Sequence, residues 1–222
     1  MKRKVIYKVN IMALLVFLPV MLYMCKNSKY SDFIIDLWGP IDGQINGYDY
    51  VDLGLPSGLK WATCNVGANS PTNYGNYYAW GETTTKSDYS SSNCLTDGQE
   101  IGDISGNPQY DAARANWGGT WRMPTKIEFE ELIDNCTWRW MGKFGYKGYM
   151  VTGPNGNSIF FPAAGYRFGT SLIYAGSYGR YWSSTPHGSS TRDTCSLDFG
   201  SDGQYTNWSG RDYGLSVRPV SD

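Results

Sequence analysis

Residues 123–136 read MPTKIEFEELIDNC, and this stretch carries the clearest helix signal in the chain. Thr125 and Glu128 form a T-x-x-E capping box, in which a hydroxyl and a carboxylate satisfy backbone amides that a helix start leaves unpaired. Phe129, Leu132, Ile133 and Cys136 then fall at i, i+3, i+4 and i+7, one apolar face. Glu128, Glu130 and Glu131 read as cap and solvated surface rather than as catalytic acids. Just upstream, YDAARANWGG (residues 110–119) reads as a shorter helix stopped by Gly118 and Gly119.

Outside these helices the pattern changes to strands. After Cys136 come CTWRWM, GYMVTGPNGNSIFFP, GRYWSST, CSLDF and GLSVRPV, short β candidates separated by Gly, Asn and Ser, with TGPNGNS as a hairpin turn. Before the helices, residues 48–67 (YDYVDLGLPSGLKWATCNVG) give two strands about the turn Pro56-Ser57-Gly58. Residues 82–109 are polar and turn-rich, an excursion over the surface. No repeat of fixed period is present. The order predicts an α+β domain of two helices, many short antiparallel strands and long loops.

Charge is distributed unevenly. Six of the 19 Lys and Arg residues precede Tyr30, where no Asp or Glu stands, so the remainder carries 13 positive against 20 negative charges, a net of −7. That balance repels phosphate backbones and argues against nucleic acid as a partner. The head itself, MKRKVIYK followed by an apolar run over residues 11–24 and then Cys25, reads as an export signal over residues 1–25. The run is shorter than the ~20 residues a membrane span needs. Three fates stay open: lipidation at Cys25, a cleaved signal, or an uncleaved anchor. Residues 26–47 read as a tether and 48–222 as the domain. The expected location is the outer membrane, cell surface or periplasm, with the membrane reached through the N-terminal anchor. Cys64, Cys94, Cys136 and Cys195 remain, and an exported chain could pair them in three ways or leave them as free buried thiols. Without a CxxC pair or a nearby His they do not suggest zinc.

Several separate motifs in one order carry a family resemblance: YVDLGLPSGLKWATCNVGA, YYAWGET, AARANWGGTWRMPTKIEFEELIDNCTW, GPNGNSIFFPAAGYR, YWSST and SVRPV. Over about residues 48–220 the chain resembles the Fibrobacter succinogenes major paralogous domain family of exported proteins. That resemblance implies a C-type lectin-like fold, related to formylglycine-generating enzymes and to the variable proteins of diversity-generating retroelements. It also suggests bridges Cys64–Cys136, each beside a core element, and Cys94–Cys195.

Enzyme, calcium lectin and recognition module are the function classes to weigh. WRMPTKIEFEEL is similar to a segment of formylglycine-generating enzymes, but their C-terminal cysteine pair is reduced here to Cys195 alone. His187 is the only histidine, so a multi-His metal centre is excluded, and a Ser184/His187 dyad would lack an orienting acid. The calcium-binding loop signatures of sugar-binding C-type lectins are missing, and Asp193, Asp198, Asp202 and Asp212 are scattered rather than clustered. No cofactor is expected.

The last third points elsewhere. Trp182, Phe199, Trp208, Val217 and Pro219 read as a rigid frame. Between them lie candidate ligand-binding positions, expected to point outward: Tyr174, Tyr178, Arg180, His187, Arg192, Asp193, Tyr205, Arg211, Asp212 and Tyr213, with Cys195 and Asp198 beside them. Tyr and Arg give large contact area at small entropic cost, and Ser and Gly give adaptability. From Ile173 to Tyr213 there is no Lys, Glu or Met, one Gln, and Trp only at two frame positions. Adenine mutagenesis of an AAC-rich template leaves that composition, although the same absence begins at Val151. The sequence therefore suggests a variable recognition surface over about residues 170–213, facing an unknown protein or glycan on a cell or phage surface. The alternatives are a structural or adhesive surface protein without a variable site, and an enzyme related to formylglycine-generating enzymes.

Overall fold

The computed structural model describes residues 40–143 and 146–222. The basic head, the apolar run and Cys25 lie outside the described residues. The capping box at Thr125 forms as expected: Thr125 Oγ1 accepts from the Glu128 amide at 3.3 Å, and Glu128 Oε2 accepts from the Thr125 amide at 2.7 Å. It opens helix α2 (Lys126–Asn135), which follows the short helix α1 (Ala112–Trp117). Asp111 caps α1 by accepting from the Arg114 amide. Gly118 ends it at φ 64°, a left-handed conformation that a Cβ would disfavour.

Around these helices stand four small antiparallel sheets, so the domain is α+β and mostly β. One has the order β1 (Gly43–Ile45), β2 (Tyr48–Asp52), β3 (Lys60–Ala62), β12 (Val220–Ser221). A second is β4 (Thr137–Lys143), β5 (Tyr146–Thr152) and β6 (Ser158–Pro162), with the expected hairpin between β5 and β6. A third places β10 (Asp193–Gly200) between β9 (Gly179–Pro186) and β11 (Gly203–Gly210). The fourth is the hairpin β7 (Tyr166–Phe168) and β8 (Ser171–Ile173). Strand β1 falls inside the expected tether: Asn46 and Gly47, at φ 48° and 82°, make the tight turn that returns the chain into β2.

The third sheet divides the interior. Side chains alternate across a strand, so Tyr181, Leu197 and Phe199 enter one apolar cluster with Trp61, Phe129, Leu132 and Phe161. Trp182 enters the other, with Trp80, Trp117, Trp121, Leu215 and Val217. Trp182, Phe199, Val217 and Pro219 are buried, as a frame requires, but Trp208 is 43% exposed. It lies on the edge strand β11, opposite Cys195, where no further strand covers it. The excursion over residues 82–109 is also not purely surface. Glu82, Tyr89, Thr96 and Ile104 are buried, and Thr96 and Tyr89 donate their hydroxyls to the Trp80 and Tyr77 carbonyls.

All four cysteines among the described residues are free thiols, and neither expected bridge forms. Cys136 packs against the cluster holding Phe129, Cys64 against the one holding Trp80, and Cys94 against a third with Tyr77 and Tyr89. Cys64 and Cys136 thus border different clusters. A variant with Cys25 replaced by Ser, unfolded without reductant, should release four thiols per chain to a disulfide-exchange reagent; a lower count would mean that bridges form.

Arg218 ties the layers together. Fully buried, it donates from Nε to Asn65 Oδ1 at 2.8 Å, from Nη1 to the Ala62 and Thr63 carbonyls, and from Nη2 to the Phe160 carbonyl at 2.9 Å. Its guanidinium lies 4.6 Å from the Phe161 ring centroid. Replacing it by Met would take the guanidinium donors away from four oxygens, at about 1–3 kcal/mol for each left unpaired where water cannot reach. Arg218→Met should therefore lower stability by at least about 3 kcal/mol in urea unfolding; a loss under about 1 kcal/mol would mean that the clamp is dispensable.

Candidate functional site

The site begins with one buried carboxylate. In the register of the third sheet, Asp198 stands opposite Arg180 on β9 and Tyr205 on β11, so the three form one row on one face. An ionised carboxylate in an apolar strand needs partners, and Asp198 has four. Oδ2 accepts from Arg180 Nε and Asn207 Nδ2, each at 3.0 Å, and from the Tyr178 hydroxyl at 3.3 Å, while Oδ1 accepts from Ser196 Oγ at 2.7 Å. The sequence reading had it pointing outward. It is buried instead, because it neutralises Arg180, whose side chain is 16% exposed.

Arg180 in turn gathers aromatic rings. Its guanidinium lies 4.5 Å from the Tyr166 ring, 5.8 Å from Tyr178 and 5.9 Å from Tyr213, within cation–π range. Tyr166 and Tyr213 stack at 5.7 Å, Phe168 meets Tyr213 edge-on at 5.3 Å, and Tyr174 stands 6.2 Å from Tyr166. Tyr178 and Tyr205 share a hydroxyl–hydroxyl bond of 2.7 Å. Burial, then the Tyr205 hydrogen bond and the Asp198 charge, push the Tyr178 phenol far above its usual range, so it stays protonated as a donor. Phe168, Tyr174 and Tyr205 are each at least half exposed. Tyr174 also holds φ at 54°, rare for a residue with a side chain, and its carbonyl accepts from the Ser177 and Tyr178 amides.

Of the ten predicted binding residues, this face brings together Tyr174, Tyr178, Arg180, Tyr205 and Tyr213. His187 and Arg192 belong to the β9–β10 loop, and Asp193 opens β10. There His187 Nδ1 accepts from the Ser189 amide at 3.1 Å, its ring meets Trp208 edge-on at 4.4 Å, and Asp193 accepts from Ser190 Oγ. Arg192 is exposed, and Asp212 is half-buried with its carboxyl pushed up by burial. Arg211 departs from expectation: it is 1% exposed, stacked 4.4 Å from Trp80, and donates Nη1 to the Thr96 and Gln99 carbonyls. Those carbonyls belong to the 82–109 excursion, so fastening that excursion draws Arg211 inward.

Tyr166 and Phe168 were missed by the sequence reading. Their signal was the alternation in YRFGTSLIY, with Gly169 at φ 55° turning the hairpin. Cys195, also expected outward, is buried in β10, and burial pushes its thiol up to about 11. At neutral pH it is a thiol rather than the thiolate a nucleophile requires. Among the described residues no cluster of His, Cys, Asp and Glu could hold a metal, and no helix is long and apolar enough to cross a membrane.

Because Asp198 anchors Arg180 below the ring face, Asp198→Ala should cost about 3–5 kcal/mol, the range for removing one partner of a buried ion pair. Tyr205→Phe, which loses one exposed hydrogen bond, should cost under about 1 kcal/mol. Denaturant melts of both variants check the pair, and equal losses would contradict the anchoring role.

The comparisons with known proteins bear on this same region. A family model described as a domain of unknown function (DUF8237) matches residues 150–220. No curated protein and no solved structure matches the chain. The matched segment holds every residue of the ring face and the β9–β10 loop.

Proposed function

We propose that this protein is an exported, surface-anchored ligand-binding protein of C-type lectin-like fold, and that the ring face around Arg180 is its recognition surface. One observation carries the reading: a guanidinium anchored from below by Asp198 and flanked by three tyrosines, with Phe168, Tyr174 and Tyr205 exposed beside it. Exposed large rings cost solvation, and a folded chain gains nothing from leaving them together at one place. Tyrosines and an arginine held rigid in this way lose little entropy on contact and suit a protein or glycan partner on a cell or phage surface. The left-handed backbone at Tyr174 supports the reading, since such strain concentrates at sites of function. Order of elements and sequence motifs support the lectin-like fold, and the basic, apolar, Cys25 head supports export to the outer membrane or cell surface. Diversification by a retroelement fits the composition of residues 173–213, which contain most of the face.

The reading separates from that of a purely structural surface protein by substitution. Phe168→Ala, Tyr174→Ala and Tyr205→Ala combined should melt within a few degrees of the parent, because all three are at least half exposed and surface changes cost about 0.5 kcal/mol each. The parent should bind defined glycans or purified surface proteins in an array, and the triple variant should lose that binding at least about ten-fold, or 1.4 kcal/mol. An identified partner held equally by both proteins would overturn the assignment of this face.

A further inference from the structure

With the ring face as the recognition surface, the reading on which this inference rests, the balance of its donors and acceptors narrows the partner. The acceptors in its floor are taken. Asp198 is fully buried, and its Oδ2 accepts three hydrogen bonds and its Oδ1 one, which fills a carboxylate. Asn207 donates Nδ2 to that carboxylate, and its Oδ1 accepts from the Trp208 amide at 2.9 Å. Ser196 Oγ donates to Asp198 and is bonded to Ser209 Oγ as well. The donors are not used up in this way. Arg180 bonds Asp198 through Nε alone, and neither Nη1 nor Nη2 makes a hydrogen bond among the described residues. The side-chain atoms that are both buried and unpartnered there are Trp61 Nε1, Arg114 Nε, Ser184 Oγ and Arg211 Nε. The two terminal nitrogens of Arg180 therefore reach the surface. The hydroxyls of Tyr166, Tyr174 and Tyr213 are likewise unpartnered among the described residues and not closed off. Groups that can only donate are thus open to a partner, while the open side-chain acceptors are phenol oxygens alone.

That balance sorts the classes of ligand. Asp198 already neutralises Arg180, so a charged ligand would lose its water here without a counter-ion of its own. An ordinary extended peptide brings one N–H per residue, and a sugar brings a donor with most of its hydroxyls. Either would set donors against donors and leave some unpaired. Proline has a carbonyl and no N–H, and in a polyproline II helix the carbonyls make no internal bonds. Its ring is apolar, as the exposed part of this face is. Tyr166 and Tyr213 lie nearly parallel, at 23°, while Phe168 stands at 86° to Tyr213 and Tyr174 at 55° to Tyr166. Each member of the stacked pair thus makes a corner with a more exposed ring, and aromatic corners of this kind receive prolyl rings. We propose that the ring face binds a proline-rich polyproline II segment of a partner protein. Prolyl rings enter the Phe168–Tyr213 and Tyr174–Tyr166 corners, and backbone carbonyls accept from Nη1 and Nη2 of Arg180.

Fluorescence anisotropy of a dye-labelled acetyl-decaproline amide tests this. The signal should rise saturably on titration with the full-length protein, and unlabelled acetyl-decaproline amide should displace the probe. Three competitors separate the alternatives: an acetylated Gly-Ser decapeptide amide that keeps its N–H groups, acetyl-decaglutamate amide for charge, and cellohexaose for a neutral glycan. Each should compete at least about ten-fold more weakly than decaproline. Phe168→Ala combined with Tyr174→Ala, both at exposed rings, should weaken decaproline at least about ten-fold while melting like the parent. The proposal is overturned by a signal that does not saturate or that unlabelled decaproline does not displace. Competition by any of the three controls as strong as that of decaproline, or undiminished binding in the double variant, overturns it too. Should decaproline fail while a partner found in the array still requires Phe168, Tyr174 and Tyr205, the face stands as a recognition surface and the polyproline assignment alone falls.

Discussion

A buried positive charge must find oxygen, and that requirement shapes this domain from its C-terminal end inward. Arg218 enters the interior without a carboxylate to meet it. It is satisfied instead by carbonyls from the end of β3 and from β6 and by the side chain of Asn65. Each of those groups is placed by a different stretch of chain, so the guanidinium is solvated only when the first sheet, the second sheet and the C-terminal segment have all assembled. The two apolar clusters supply the driving force for collapse, and the clamp makes one relative placement of the sheets far better than its neighbours.

The same requirement is met in two other ways nearby. Arg180 is neutralised by Asp198 and covered on its outer side by tyrosine rings, some of which remain in water. Arg211 has two carbonyls on one nitrogen and the Trp80 ring against its face, while its Nε stays buried without a partner, as does that of Arg114.

The third sheet serves both apolar clusters and also carries the polar row. Its strands feed apolar side chains into a cluster on each face, so neither the row Arg180–Asp198–Tyr205 nor the β9–β10 loop is needed for core packing. One end of the sheet carries the ring face. The family match over residues 150–220 covers this sheet and neither helix.

Local physics was legible in the sequence. The capping box at Thr125, the Gly118 stop, the β5–β6 hairpin and the buried frame of Trp182, Phe199 and Val217 all follow from interactions within a few residues or from side-chain period. The hairpin at Asn46-Gly47 was equally local and was simply read as tether. What only the tertiary structure decided are choices made between distant segments. Asp198 looks like a surface carboxylate until β9 brings Arg180 opposite it. Arg211 looks like a surface cation until the carbonyls of Thr96 and Gln99, more than a hundred residues away, draw it inward. Trp208 looks like core until β11 proves to be an edge. Cys64, Cys94, Cys136 and Cys195 could pair or stay free by sequence, and the fold leaves all four as free thiols. In each case the sequence determined the chemistry of the group, while its partner, and hence its burial, was set by long-range strand order, which no local pattern encodes.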